Sequence, residues 1–172
     1  MHIIVDGYNL IRQSDRLRAH ERSSLEAGRK ALVQNLAAYR QLRGHRITVV
    51  FDGWSGGSPQ EERDRLGGID IIYSRLGEKA DEVIKRLVAG GSEEILVVTS
   101  DREIAAFAAR RGKTAVDSPV FAERIERIAS SPEAGGFQAQ EEDEEDAGGK
   151  KKGPSRRLSK QKRAQLARLR KL

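Results

Sequence analysis

A chain of 172 residues is long enough for one domain with a buried core plus a remainder, and its hydrophobic residues, 37% of the total, are concentrated before about residue 130. There is no cysteine, which excludes a disulfide framework, a thiolate zinc site and a cysteine nucleophile; no apolar run approaches a signal h-region or a membrane span, so a soluble, cytoplasmic protein with no membrane partner is expected. The net charge of +6 is sharply divided: residues 150–172 hold eleven Lys or Arg and no acid, residues 141–146 are six acids in a row, and the 21 basic and 20 acidic residues elsewhere nearly cancel.

The chain opens with HIIVD (2–6), a short apolar run ending on an acid, which reads as a strand buried on both faces. SSLEAGRKALVQNLAAYRQLRG reads as a helix that opens on a capping box from Ser23 to Glu26, aligns Leu25, Leu32, Leu36 and Tyr39 on one face, and stops at Gly44. RITVVFD (46–52) is a second strand and GIDIIYS (68–74) a third; KADEVIKRLVAGG is a helix with Val83, Ile84, Leu87 and Val88 facing inward. EILVVTSD (94–101) is a fourth strand, REIAAFAARRG a helix, and KTAVD (113–117) a short fifth strand. A last helix begins at Ser118 as N-cap with Pro119 in its first turn. Strands alternating with helices predict an α/β domain over residues 1–130, with a parallel sheet of about five strands covered by helices on both faces. Residues 131–149 lack the apolar surface to offset ordering entropy and read as a disordered acidic linker, and 150–172 as a disordered basic nucleic-acid-binding tail.

In an open parallel α/β sheet ligands bind at the carboxyl ends of the strands, where the winding reverses. That rule places Asp6, Asp52 and Asp101 on one edge, with Asp81 and Glu82 joining them from the first turn of the middle helix. Carboxylates crowded together repel, and one must take up a proton unless a cation relieves them. Oxygen ligands with no Cys and no suitably spaced His favour Mg²⁺ or Mn²⁺, and the chemistry such a site serves best is phosphodiester hydrolysis by a metal-activated water. Asn9 is placed to position that water or a phosphate oxygen through its amide. Each acid also has a plainer reading: Asp101 as a helix N-cap, Asp81 and Glu82 as complements to a helix dipole, Asp52 as a turn former before a Gly-rich loop. Trp54 in that loop either stacks on a base or covers the core, and His2, His20 and His45 carry no pattern.

IVDGYNLI, VVFDG, KADEVI and VVTSDREI, in this order and spacing, resemble the NYN domains of the PIN-like nuclease superfamily, and within it the bacterial YacP-type endoribonucleases. The resemblance covers residues 1 to about 130 and implies a PIN-like, Rossmann-like fold. It also implies metal-dependent cleavage of single-stranded RNA, with mRNA cut in association with the ribosome. Carried over by motif, Asp6 and Asn9 match the DGYN element, Asp81 with Glu82 the acidic pair opening the middle helix, and Asp101 the TSD element. Asp6, Asp81 and Asp101 would hold the metal. Arg12, Lys79 and Arg102, close in sequence to those ligands, are candidates to guide RNA.

Eleven positive charges in 23 residues can release counterions from a nucleic-acid backbone, and an rRNA or mRNA surface suits them. A rival function is a non-catalytic RNA- or ribosome-binding module on the same fold. A dinucleotide-binding domain is disfavoured because DGYN, and not GxGxxG, follows the first strand. A phosphatase with an aspartyl nucleophile would want a second Asp where Tyr8 stands.

Overall fold

A computed structural model of the chain describes residues 1–53, 58–91 and 93–130; Trp54 and the readings of residues 131–149 and 150–172 fall outside them. The elements in chain order are β1 (His2–Asp6), α1 (Gly7–Arg12), α2 (Asp15–Ser23), α3 (Leu25–Arg43), β2 (Arg46–Phe51), β3 (Glu62–Leu66), β4 (Ile69–Tyr73), α4 (Ala80–Gly90), β5 (Ile95–Val98), α5 (Arg102–Arg110), β6 (Thr114–Val116) and α6 (Ser118–Ala129). The six strands form one sheet in the order β3-β4-β2-β1-β5-β6, parallel except for β3. From β1 the chain winds outward through β2 and β4, then crosses to β5 and β6 on the other side. The reversal therefore falls at the carboxyl ends of β1 and β5.

All five residues of β1 are buried, as befits a central strand covered on both faces. Along the sheet Ile4, Val50, Ile72 and Val97 point to one side and pack with Val83, Ile84 and Val88 of α4 and Ile104 and Ala108 of α5. The opposite face is covered by α1, α3 and α6, where the Tyr39 and Phe121 rings meet edge to face with centroids 5.4 Å apart. Fully burying side chains of this size stabilises by about 1.5–3 kcal/mol each relative to exposure, so these two layers dominate the fold's stability.

Four local expectations are corrected. The strand β3, ERDRL, is exposed at all five positions and so shows no apolar alternation; a Gly67–Gly68 turn, both with positive φ, joins it to β4 as a hairpin. Its charged residues guard the sheet edge. The short helices α1 and α2 also precede α3; α2 starts from Ser14, whose Oγ accepts from the Leu17 N–H at 3.0 Å. The N-cap of α3 is Ser24, whose Oγ accepts from Ala27 N–H, whereas Ser23 ends α2 and donates to the His20 carbonyl. Ser118 is the first residue of α6 and not its cap, because its hydroxyl is used elsewhere.

Gly7 is the first residue of α1 and has no positive φ. Space requires it: a Cβ at Gly7 would lie 2.3 Å from the Phe51 ring. His2 lies at the amino edge, away from Asp6, Asp52, Asp81 and Asp101, buried against Thr48 at 2.8 Å and with Nδ1 3.3 Å from the Glu93 carboxylate.

Candidate active site

The carboxyl edge of the sheet carries an acid at the end of β1, after β2 and after β5, plus one in the first turn of α4. Asp6 is buried, at 8% exposure, and caps α1 by accepting the Asn9 N–H on Oδ1 at 3.2 Å. Its other oxygen accepts from the Thr99 hydroxyl at 3.3 Å. That hydroxyl in turn accepts the Asp101 N–H at 3.0 Å, so one threonine ties the two acids together. Asp101 caps α5, with Oδ1 accepting from Glu103 N–H at 2.6 Å and Ile104 N–H at 3.2 Å. A carboxylate has two oxygens, so capping with one leaves the other for a ligand. The cap and the functional reading of Asp101 are therefore compatible.

Asp52 also caps, but at a distance in sequence. Its Oδ1 accepts from Ala80 N–H at 2.6 Å, serving α4, whose own N-cap residue Lys79 makes no side-chain bond. Asp52 thereby fixes the start of α4 and points Asp81 into the group. The loop below is held by Ser74, whose Oγ accepts from Gly53 N–H at 2.8 Å and donates to the Glu78 carbonyl at 2.6 Å. A Cβ at Gly53 would lie 1.7 Å from the Ser74 carbonyl oxygen, so the two backbones can approach only with glycine there.

The electrostatics follow from this crowding. Burial is the main reason the Asp6 carboxyl rises from 3.8 to about 6, with Asp81 and Asp52 adding repulsion and the Asn9 N–H and Thr99 hydroxyl opposing it. Asp81 is also raised, by burial first and then by Asp101 and Asp52, while Lys85 and Lys79 offset part of this. Elsewhere on the described surface Glu61, Glu78, Glu82, Glu93, Glu103 and Asp70 are ion-paired to Lys or Arg. Among the described residues none of Asp6, Asp52, Asp81 and Asp101 has such a partner.

Glu82 is not brought into the group. Successive helical residues point about 100° apart, so with Asp81 directed at Asp6 and Asp101, Glu82 faces solvent and pairs with Lys85 at 3.5 Å. Asn9 is brought in, but its carbonyl oxygen is committed: Oδ1 accepts from Ser100 N–H at 2.9 Å and from Ser118 Oγ at 2.7 Å. Only its amide N–H groups remain for a substrate. Arg12 lies over the Tyr8 ring at 5.7 Å, Lys79 sits beside Asp81, and Arg102 is exposed in the first turn of α5. Thr99, Ser100 and Ser74 organise this edge and were not singled out from sequence, and Ser118, which was read there as a helix cap, organises it with them. The TSD run offered a signal for the first two, since a hydroxyl just before a capping Asp can reach the next strand end; Ser118 was hidden by its resemblance to an N-cap. Among the described residues, no three His, Cys, Asp or Glu side chains already stand close enough together to hold a metal ion.

Comparison with known proteins agrees with this architecture. The model of the YacP-like NYN domain matches residues 3–171, which extends beyond the motifs near the carboxyl edge and across the basic tail. The YacP protein of Bacillus subtilis (strain 168) is 32% identical over 102 residues, 58% of this chain and 59% of that protein, so the chain spans less than two thirds of that relative's length. Two crystal structures of Rae1 (YacP) from Bacillus subtilis, one of them a mutant, are 27% identical and superpose with TM-scores of 0.61 (mutant) and 0.58. Each covers 74% of this chain, and 76% and 75% of the respective crystallised chains. No helix among the described residues is long and apolar enough to cross a membrane. With a PIN-like α/β sheet, acids at its reversal point and a family match over nearly the whole sequence, the chain belongs to the YacP-like NYN domain family, a nuclease-type family.

Proposed function

We propose that the protein is a metal-dependent endoribonuclease that cleaves single-stranded RNA, mRNA in the first instance, at the carboxyl edge of the sheet. The observation that carries this reading is the set of Asp6, Asp81 and Asp101, drawn from three segments and, among the described residues, without an ion pair, while Glu82 and Glu103 are paired to Lys85. A module that only bound RNA would gain nothing from keeping these carboxylates unpaired. Their all-oxygen donor set fits Mg²⁺ or Mn²⁺. When bound, such an ion supplies an acidified water and offsets charge at the scissile phosphate.

The protein's own part is orientation. Thr99 holds Asp6 and the backbone of Asp101 in one register, Asp52 directs Asp81 by fixing the start of α4, and Ser100 and Ser118 fix the Asn9 amide so that its N–H groups face the substrate side. Glu82, paired with Lys85, has no part in holding the ion. Purified protein given Mn²⁺ or Mg²⁺ with labelled single-stranded RNA, alone and with translating ribosomes, is expected to cleave, to stop in EDTA, and to lose activity as Asp6→Asn or Asp101→Asn. Equal cleavage by the variants, or no cleavage by wild type with any partner present, overturns the proposal.

A further inference from the structure

Beside the acids, the same edge carries a row of aromatic rings. Tyr8 meets Phe51 edge to face with centroids 5.2 Å apart, and Phe51 stacks on Tyr73 at 5.7 Å. Each end of the row carries an arginine: Arg12 lies over Tyr8 at 5.7 Å from the ring centroid and Arg29, from α3, over Tyr73 at 5.4 Å. Tyr8 stands two residues after Asp6 and Phe51 directly before Asp52, so the row adjoins the acidic group. Among the described residues neither arginine has a carboxylate within ion-pair distance, in contrast to Arg46, Arg63, Arg65, Arg75 and Arg86.

An arginine held by a carboxylate spends its N–H donors and its charge on that partner. One held by a ring face keeps its in-plane donors and full charge for a planar or tetrahedral oxyanion, with its side chain already ordered. Two such arginines beside a group of carboxylates present cationic points to a chain of phosphates whose scissile link must enter a negative field. The adjoining groove between α3 and the β3–β4 hairpin is lined by Arg29 and Lys30 together with Glu26 and Asp64, two cations and two acids.

We propose that Arg12 and Arg29, held on Tyr8 and Tyr73, form a two-point phosphate lane that guides the backbone of single-stranded RNA to the carboxylate edge. This rests on the nuclease reading of that edge. The test is fluorescence anisotropy of a labelled oligouridylate with the full chain in EDTA, over a series of KCl concentrations, so that binding is read without cleavage. The basic tail contributes to every variant alike. Arg12→Ala and Arg29→Ala are each expected to weaken binding at least about threefold and to lower the slope of log affinity against log salt by about 0.7, and by about 1.4 together. Arg29→Lys, which keeps the charge, is expected to keep the slope. Arg111→Ala, which removes the comparable ring-held arginine on Phe107 at the far end of α5, is expected to bind as wild type. Wild-type affinity and slope in both Arg12→Ala and Arg29→Ala, or an equal loss in Arg111→Ala, overturns the lane. Loss of cleavage in Asp101→Asn with unchanged binding by the arginine variants would overturn the lane alone. Altered slopes with a wild type that never cleaves would overturn the nuclease reading alone.

Discussion

Replacing Asp6 by Asn should make the metal-free protein more stable, and only above the acid range. Asp6 is buried and its carboxyl titrates near 6 in the folded chain against an ordinary 3.8. At about 1.4 kcal/mol per pH unit, that difference makes the ionised folded form about 3 kcal/mol less favourable than an unperturbed carboxylate would be. The sign follows from proton uptake: the folded state holds its proton more tightly, so the stability present below pH 3.8 is lost as pH rises through about 6. An amide carries no charge, keeps an oxygen for the Asn9 N–H and turns its N–H toward the Thr99 oxygen, so most of the cost is removed. Urea unfolding in EDTA is therefore expected to show Asp6→Asn more stable by up to about 3 kcal/mol at pH 7.5, or about 10 °C in Tm for a unit of this size. At pH 4 the difference should fall well below about 1 kcal/mol. Equal or lower stability of Asp6→Asn at pH 7.5, or the same gain at both pH values, would refute the cost assigned to burying and crowding the Asp6 carboxylate.

Three further outcomes probe the supporting contacts. Thr99→Val removes the hydroxyl that joins Asp6 to the Asp101 backbone; leaving that N–H without its acceptor should cost about 1–3 kcal/mol in urea unfolding and push the Asp6 carboxyl higher still, read by NMR titration. Gly7→Ala puts a methyl into the Phe51 ring and should destabilise by about 1–3 kcal/mol, with part of the loss recovered by Phe51→Leu in the same chain. Ser118→Ala and Asn9→Ala should be non-additive in unfolding free energy, coupled by about 0.5–1.5 kcal/mol, because they share one hydrogen bond; additive losses would mean that Ser118 serves only its own helix.

The sequence showed the parts of this fold that apolar runs encode. HIIVD, ILVV and the long amphipathic α3 read directly, since a strand buried on both faces and a helix with one buried stripe leave a clear period. The edge strand ERDRL did not, because a strand exposed along its length has no period to show; the Gly-Gly turn after it was the available signal. The acids Asp6, Asp52, Asp81 and Asp101 were legible from the rule that ligands gather at carboxyl ends of parallel strands. Glu82 diverges from Asp81 because neighbours in sequence point apart on a helix, and its Lys85 partner lies three residues on. What the sequence hid was the wiring. Asp52 reaching Ala80, Asn9 reaching Ser100 and Ser118, and Arg29 reaching Tyr73 all cross between elements, and only packing brings those partners together.

The central claim is that carboxylates from β1, α4 and the end of β5 are gathered to hold a divalent cation for RNA cleavage. Calorimetric titration of the RNA-free protein with Mn²⁺ tests it most directly, using Asp81→Asn and Asp101→Asn beside Asp15→Asn, a change at an exposed acid in the first turn of α2. Binding weakened at least about tenfold in the first two, a loss of about 1.4 kcal/mol or more, and unchanged in the third is the predicted result. Equal Mn²⁺ affinity in all four proteins, or no binding by wild type, would contradict it.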